Sequence, residues 1–149
     1  MQLNIRVADE NDIPSLVEFN LNMAFETEQK RLNTKVLTSG VSALVKDANK
    51  GYYLVAETAD QVVGSLMVTT EWSDWRNAVF WWIQSVYIVP EHRRKGIYAQ
   101  LYTKVKELAK TQGNICGFRL YVEKENVVAQ QTYQALGMHE SHYLMYEEE

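Results

Sequence analysis

Three consecutive basic residues and a glycine lie between a strand-like run and a helix-like run, where the sequence has its most distinctive chemistry. Arg93, Arg94 and Lys95 precede Gly96 in a chain of 149 residues whose formal net charge is −4. Pro90 cannot donate to a sheet ladder, so it predicts the end of the strand. Gly96 lets the backbone approach a bound group, and the helix N-terminus beyond it favours anions. The pattern indicates a site for a small, highly charged, phosphate-bearing ligand.

The familiar phosphate-binding motifs do not match this turn. A Walker loop needs a second glycine followed by Lys and Ser or Thr, and a dinucleotide-binding turn needs three glycines, whereas Gly96 stands alone. On the turn alone, a solvated basic loop in an ordinary strand-turn-helix connection stays open as the simpler interpretation.

A second group of residues predicts a short helix with a ligand-accessible face. Asn126 is a good N-cap, and Gly137 stands where a helix ends in the left-handed conformation. Between them Ala129, Tyr133 and Leu136 share one face at i, i+4 and i+7. The small Ala129 leaves room for a ligand beside the phenol of Tyr133, although a core aromatic is the alternative for that tyrosine.

Together the two groups resemble the GCN5-related N-acetyltransferase (GNAT) superfamily. That family has a strand, a turn of the form Arg/Gln-x-x-Gly-x-Gly/Ala and a helix, and here the turn reads Arg93-Arg94-Lys95-Gly96-Ile97-Tyr98. Residues 85–90 resemble the family's splayed fourth strand. The spacing Asn126-x-x-Ala129-x-x-x-Tyr133-x-x-x-Gly137 resembles its last motif. Since the N-terminal strand and two helices follow the family order as well, the resemblance spans nearly the whole chain.

The resemblance implies an acetyl-CoA site and assigns its residues. The turn's amides would hold the pyrophosphate, with Arg93 adding charge, and the pantetheine arm would pair with the backbone of Val86 and Ile88. Asn126 would contact the cofactor arm, and Tyr133 would protonate or hydrogen-bond the departing thiolate. The amides in question belong to Arg94, Lys95, Gly96, Ile97 and Tyr98.

Two departures from the family pattern leave roles to be filled. Gln84 stands where many relatives carry a glutamate, and an amide is no general base, so Gln84 is expected to position water or substrate. Glu26 and Glu28, after the first predicted helix, are candidates for the base, with a solvated helix end as the alternative. Tyr98 replaces the family's Gly or Ala, so we expect its ring to stack on the adenine or to pack beneath the turn.

The residue pattern predicts one domain over residues 1–149 with a mixed α/β (α+β) fold and a mixed sheet, in the order β-α-α-β-β-β-α-β-α-β. The resemblance implies that this fold is of the GNAT type, with a mostly antiparallel sheet and about four helices. Strands are expected near Leu3 to Val7 and at residues 52–57, 62–70, 79–89 and 118–122, and residues 143–146 are expected to form a closing strand.

Composition narrows the class of protein. No stretch approaches the roughly 20 apolar residues of a membrane span, and the N-terminus lacks the apolar centre of a signal peptide. The single cysteine, Cys116, forbids an internal disulfide and fits a reducing compartment. The acidic balance argues against nucleic-acid binding. We therefore expect a cytoplasmic protein without metal, membrane or nucleic-acid partner, and a homodimer is one arrangement open to it.

The function implied by the resemblance is transfer of the acetyl group of acetyl-CoA directly to a primary amine of a small molecule or peptide. The alternative is a module of the same fold that binds acetyl-CoA or CoA but has lost catalysis, which Gln84 keeps open.

Overall fold

The computed structural model describes residues 2–149, which form five strands in one sheet and four helices. The strands are β1 (Asn4–Val7), β2 (Tyr52–Glu57), β3 (Val62–Ser73), β4 (Ala78–Ile88) and β5 (Ile115–Arg119). The helices are α1 (Ile13–Glu28), α2 (Thr34–Val45), α3 (Ile97–Gln112) and α4 (Val127–Ala135). Among these residues no helix is both long and apolar enough to cross a bilayer.

The sheet order is β1-β2-β3-β4-β5. The first three pairings are antiparallel, and β5 joins β4 in parallel after the α3 crossover. The mixed, mostly antiparallel sheet with four helices predicted from the sequence is thereby confirmed. Because a parallel pair needs a crossover, α3 is the connection between the end of β4 and the start of β5.

Local signals in the sequence start and end the helices. Asp9 caps a short 3-10 turn before α1, with Pro14 in the first turn, where its missing N–H is harmless. The Asn33 side chain accepts from the amide of Val36 at the start of α2. Gly113 ends α3 in the left-handed region with φ 91°.

Two apolar layers hold the helices on opposite faces of the sheet. On one face α3 packs through Leu101 and Val105 against strand residues that include Leu66. On the other face α1 and α2 pack against β2 through Leu16 and Val41. Alternation along the strands produces this division, since successive side chains point to opposite faces.

Three sequence predictions differ from the structure. The strand expected at residues 118–122 begins and ends three residues earlier, at Ile115–Arg119, where it pairs with β4. Residues 143–146 carry no strand, because no neighbouring strand lies beside them within residues 2–149 and alternation alone cannot form a ladder. The segment Glu71 to Asn77, expected to be a loop, instead extends β3 to Ser73, where Trp72 pairs with Val79 and only a tight turn remains. Sheet pairing there outweighs the polar composition of the segment.

Candidate active site

A bulge in β4 opens the sheet at one end. Ser65 pairs with Tyr87 and Met67 with Gln84, so residues 85 and 86 together face Leu66, and Ser85 has φ 51°. The parallel ladder between β4 and β5 ends at the pair Trp82 and Arg119. Beyond that pair the backbone of residues 86–88 keeps β3 on one side, and no strand formed by residues 2–149 pairs with its other side. An extended ligand could pair with this free edge.

The turn after β4 presents a set of unused amide donors. Arg94 and Gly96 both have positive φ, 63° and 76°, and Gly96 begins α3 without a side-chain cap. Within residues 2–149 no protein acceptor lies on the amides of residues 94–99. A Cβ at Gly96 would meet no atom within 4 Å, so it is the backbone angle that favours glycine. The combination of left-handed residues and a helix N-terminus is an anion-binding geometry.

A cleft of about 350 Å³ lies between the end of α1, the free edge of β4, the start of α3 and α4. Seven of the residues predicted from the sequence line it: Glu26, Val86, Ile88, Arg93, Tyr98, Asn126 and Tyr133. The turn residues Arg94, Lys95 and Gly96 are exposed beside it, and the Ile97 side chain is buried in the core while its amide stays at the helix start. A second depression of similar volume along α3, between Ile5 and Lys104, contains no predicted residue.

A row of tyrosines forms one wall of the cleft. Tyr98 packs edge-on against Tyr133, with ring centroids 5.5 Å apart, and stacks on Tyr102 at 6.1 Å. The Tyr98 ring therefore packs between a tyrosine of α3 and a tyrosine of α4. The Tyr98 hydroxyl is buried and has no hydrogen-bond partner within the described chain. Burial raises the pKa of both Tyr98 and Tyr133 above the usual phenol value, so both stay protonated at neutral pH.

Glu26 and Arg93 form an ion pair across the mouth of the cleft. Arg93 donates from Nη2 to Glu26 Oε2 at 2.9 Å and from Nε to the carbonyl of Ile88 at 2.8 Å. The Tyr87 hydroxyl donates to Glu26 Oε1 at 3.3 Å, and the Arg93 guanidinium lies over the Tyr87 ring. Burial, and then the charge of Glu26, raise the pKa of Tyr87. This ion pair connects the end of α1 to the turn after β4.

The other two predicted residues lie outside the cleft. Glu28 is the exposed last residue of α1 and does not line it. Gln84 precedes the bulge, partly buried, and its amide donates to Thr69 Oγ1 at 2.7 Å. The structure thus brings Glu26 to the site and leaves Glu28 and Gln84 apart from it.

Sequence reasoning missed several residues of the cleft. Tyr87 was assigned no role in the site. Its position between Val86 and Ile88 could have indicated that its side chain lies on the opposite face of the strand from theirs. Helical spacing carried the remaining signal, since the other missed residues lie within one turn of Glu26, Asn126 or Tyr133. They are Met23, Thr27, Val128 and Thr132, and they line the cleft together with Ala129, which the sequence had placed beside Tyr133.

Comparisons with known proteins agree with this arrangement. The model of the acetyltransferase (GNAT) family matches residues 17–138. A possible acetyltransferase from Clostridium difficile 630 is 50% identical, with a TM-score of 0.92 over 100% of this chain and 98% of that one. No curated protein matches the sequence significantly.

Two more distant structures share the fold. A predicted acetyltransferase with acetyl-CoA from Clostridium acetobutylicum is 21% identical, with a TM-score of 0.81 over 99% of this chain and 96% of that one. AAC(6')-Iy, in complex with a bisubstrate analogue, is 13% identical, with a TM-score of 0.80 over 100% and 99%. With the family model covering most of the chain and the bulged strand, turn and helix in place, this protein belongs to the acetyltransferase (GNAT) family.

Proposed function

We propose that this acetyltransferase moves the acetyl group of acetyl-CoA directly to a primary amine of a small molecule or peptide. One observation carries the proposal: a single cleft joins a free strand edge at residues 86–88, a turn of unused amides and the phenol of Tyr133. An apolar arm attached to a diphosphate matches an extended backbone followed by a helix N-terminus.

The residues present fit such a ligand. The unpaired amides of residues 94–99 are donors for a diphosphate, and the exposed Arg94 and Lys95 add charge beside them. The buried Tyr98 hydroxyl, unpartnered within the described chain, would gain an acceptor from a polar group bound in the cleft. The Ile88 carbonyl already accepts one hydrogen bond from Arg93, so an arm that pairs with that carbonyl uses its second lone pair or displaces Arg93.

Tyr133 is proposed as the proton donor to the departing sulfur. Acetyl-CoA supplies a thioester, and a free thiolate needs a proton or a hydrogen bond as it leaves. Because burial raises the pKa of Tyr133 above its usual value, the phenol carries that proton throughout the neutral range. Its position on the cleft wall, one helical turn after the small Ala129, supports the role.

Glu26 is proposed as the group that takes the proton from the amine, directly or through water. An amine with a pKa of about 10.4 must lose a proton at neutral pH before it attacks, at a cost of roughly 4 to 5 kcal/mol. Glu26 is the carboxylate among the cleft residues, whereas Glu28 does not line the cleft. Asn126, the N-cap of α4, is proposed to contact the cofactor arm. Gln84 lies outside the cleft with its amide bound to Thr69 Oγ1, so the expected role in positioning the acceptor or a water is not proposed for it.

The test is release of free thiol from acetyl-CoA with a panel of amines: polyamines, amino acids, aminoglycosides and peptide amines. We expect turnover on at least one class. In Tyr133→Phe we expect kcat to fall by about 100-fold or more, with acetyl-CoA affinity within about threefold, since the ring is kept. Wild-type levels of kcat in that variant would remove Tyr133 from the mechanism.

A second candidate function is a CoA-binding module without catalysis. Gln84, where many relatives carry a carboxylate, favours it, because its amide is engaged by Thr69 and cannot act as a base. Acetyl-CoA binding without thiol release on any amine of the panel would establish this function instead. Binding itself is measured by thermal shift, since a ligand at about 100 times its Kd adds roughly 2.7 kcal/mol of stability.

A further inference from the structure

The face of the sheet that carries α1 and α2 is only partly covered by these helices. Their apolar layer reaches Met67 of β3, and α1 also packs on β4 where the rings of Phe19 and Tyr87 touch. The register places Thr69 and Trp82 opposite each other on this same face, two positions beyond the Met67 pairing. Neither belongs to the apolar layer formed within residues 2–149, and both are partly exposed. This part of the face is therefore open to a ligand.

Two aromatic rings lie on the open part of the face, at the point where β4 and β5 separate. The ladder between these strands ends at Trp82 and Arg119, and Tyr121 follows two residues later. The centroids of the Trp82 and Tyr121 rings are 6.2 Å apart, with an interplanar angle of 56°. Tyr121 is 63% exposed, so much of its ring is in water. Two such rings provide a surface on which a further aromatic ring packs favourably.

A polar network holds the Trp82 indole in place. Its Nε1 donates to Glu71 Oε1 at 2.8 Å, and Arg119 Nη1 donates to the same oxygen at 2.9 Å. The Arg119 guanidinium in turn stacks on the Phe80 ring, 3.6 Å from its centroid. Because the indole is held before any ligand binds, a ring that packs on it orders fewer side chains than it would on a mobile surface.

Two carboxylates near this surface and the cleft are already paired with arginines. Glu71 is bound by Arg119, and Glu26 at the mouth of the cleft is bound by Arg93, each at 2.9 Å. Since the charge of each carboxylate is compensated, an acceptor with several positive charges, such as a polyamine or an aminoglycoside, gains little attraction from them. The charges therefore favour an acceptor with a single positive charge.

The aromatic pair lies along β4 from the proposed acetyl-CoA site, so the inference from it rests on the proposed function. With the diphosphate at the turn of residues 94–99 and the arm beside residues 86–88, the order of the chain directs the end of the arm toward the first half of β4. Trp82 is four positions before Val86 on this strand, at most about 13 Å away. A molecule bound on the rings is therefore continuous with the cleft.

We propose that Trp82 and Tyr121 form the acceptor subsite, and that the acceptor is an amine with one positive charge and an aromatic ring. The ring packs on the indole and the phenol, and the amine extends along β4 toward the cleft. A small arylalkylamine and a peptide with an aromatic side chain near its N-terminus share this chemistry, and the acceptors chosen for the test separate the two sources.

Calorimetric titration of acceptors into the complex with CoA, which lacks the acetyl group, measures acceptor binding without turnover. The small molecules are 2-phenylethylamine, its saturated counterpart 2-cyclohexylethylamine and the polycation spermidine. The peptides are amidated Phe-Ala-Ala, Ala-Phe-Ala, Ala-Ala-Phe and Ala-Ala-Ala. We expect an acceptor with an aromatic ring to bind about three- to tenfold more tightly than its counterpart without one, and more tightly than spermidine. In thiol release, kcat/KM should follow the same order.

Variants of the two rings locate the preference. Tyr121→Ala removes an exposed ring and should reduce the preference to within about twofold, and Trp82→Leu should do the same. The matched control is Trp75→Ala, which removes an 87% exposed indole from the turn between β3 and β4 and should keep the full preference. Unchanged acetyl-CoA affinity shows that each variant is folded. A ring preference that survives in both Tyr121→Ala and Trp82→Leu would overturn the subsite.

Failure of the subsite and failure of the proposed function give different results. Ring-dependent binding to the CoA complex without thiol release on any amine would support the subsite and refute the transferase. Thiol release with equal affinities for ring-bearing and ring-free amines, or with spermidine bound most tightly, would support the transferase and refute the subsite. Absence of any ring-dependent binding refutes the subsite in either case.

Discussion

Glu26 and Glu28 lie two positions apart at the end of α1, yet the residues around them differ. Glu26 accepts from Arg93 and Tyr87 at the mouth of the cleft, and Glu28 is exposed outside it. The two carboxylates are therefore a natural pair of matched variants for the proposed proton acceptor.

We expect Glu26→Gln to lower kcat by about 100-fold or more, the usual contribution of a general base, and Glu28→Gln to stay within about twofold. Steady-state thiol release at saturating acetyl-CoA measures both. A rise in KM for acetyl-CoA with kcat unchanged would assign Glu26 to positioning Arg93 instead. Equal losses of kcat in Glu26→Gln and Glu28→Gln would mean that the end of α1 as a whole, rather than Glu26 as a base, affects turnover.

At this scale the sequence predicted the residues whose position follows from a local motif. Asn126 and Tyr133 share one short helix, so their spacing alone brings both to one cleft wall. The contact of Glu26 with Arg93 was not predictable, because the two residues are 67 positions apart and meet only through tertiary packing.

The turn and helix after β4 form the element on which binding depends, and Gly96 determines its geometry. Gly96 and Gly113 stand at opposite ends of α3, both in the left-handed region, and a Cβ at either would meet no atom within 4 Å. The two positions differ in that Gly96 lies in the turn beside the cleft, whereas Gly113 lies at the other end of the helix.

We expect Gly96→Ala and Gly113→Ala each to lose about 1 kcal/mol of unfolding free energy, from backbone strain alone. Only Gly96→Ala should also weaken acetyl-CoA binding, by about tenfold or more, since its strain tilts the amides of the turn. Urea denaturation and calorimetric titration check the two effects. Equal acetyl-CoA affinities would place the diphosphate elsewhere.

Helix boundaries with strong local signals were predicted well, whereas strand features that depend on pairing, such as the end of β3 and the closing strand, were not. Caps and turn residues at Asn33, Gly113 and Asn126 mark real helix boundaries. The expected closing strand at residues 143–146 is absent because a strand needs a neighbour, which one chain does not provide here. The bulge at Ser85 gave no signal, since serine is an ordinary strand residue and the extra position becomes visible only in the register with β3.

At the scale of the whole molecule, a charged cluster centred on Arg6 connects three secondary-structure elements. Arg6 donates to Asp12 at 2.8 and 2.9 Å and to Glu57 at 2.9 and 3.1 Å, linking β1, the start of α1 and β2. Asp12 is buried. Hydrogen bonds from Arg6 are the first cause that holds the pKa of Asp12, and that of Glu57, below the usual carboxyl range.

A lowered carboxyl pKa has a definite consequence for acid stability. The stabilisation that ionised Asp12 gives the folded state is complete above the carboxyl pKa of the unfolded chain, about 4. It is lost as pH falls through the lower carboxyl pKa of the folded state. We expect Asp12→Asn to lose about 1 to 3 kcal/mol at pH 7 and to show a smaller further loss between pH 5 and 3 than the wild type. Urea midpoints at each pH measure this, with Asp60→Asn, in an exposed turn, as the control. Parallel pH profiles of stability for the wild type and Asp12→Asn would show that the cluster is not the source of the stability lost in acid.

The ion pair between Arg93 and Glu26 bears on how acetyl-CoA affinity responds to ionic strength. Arg93 is already paired with the carboxylate of Glu26, so its charge is compensated before any anion binds. Binding an anion at Arg93 therefore changes the number of released counterions little. Arg94 and Lys95 have no such partner among residues 2–149. Added salt should therefore weaken acetyl-CoA binding by the amount expected for two cationic side chains, Arg94 and Lys95, although the turn carries three.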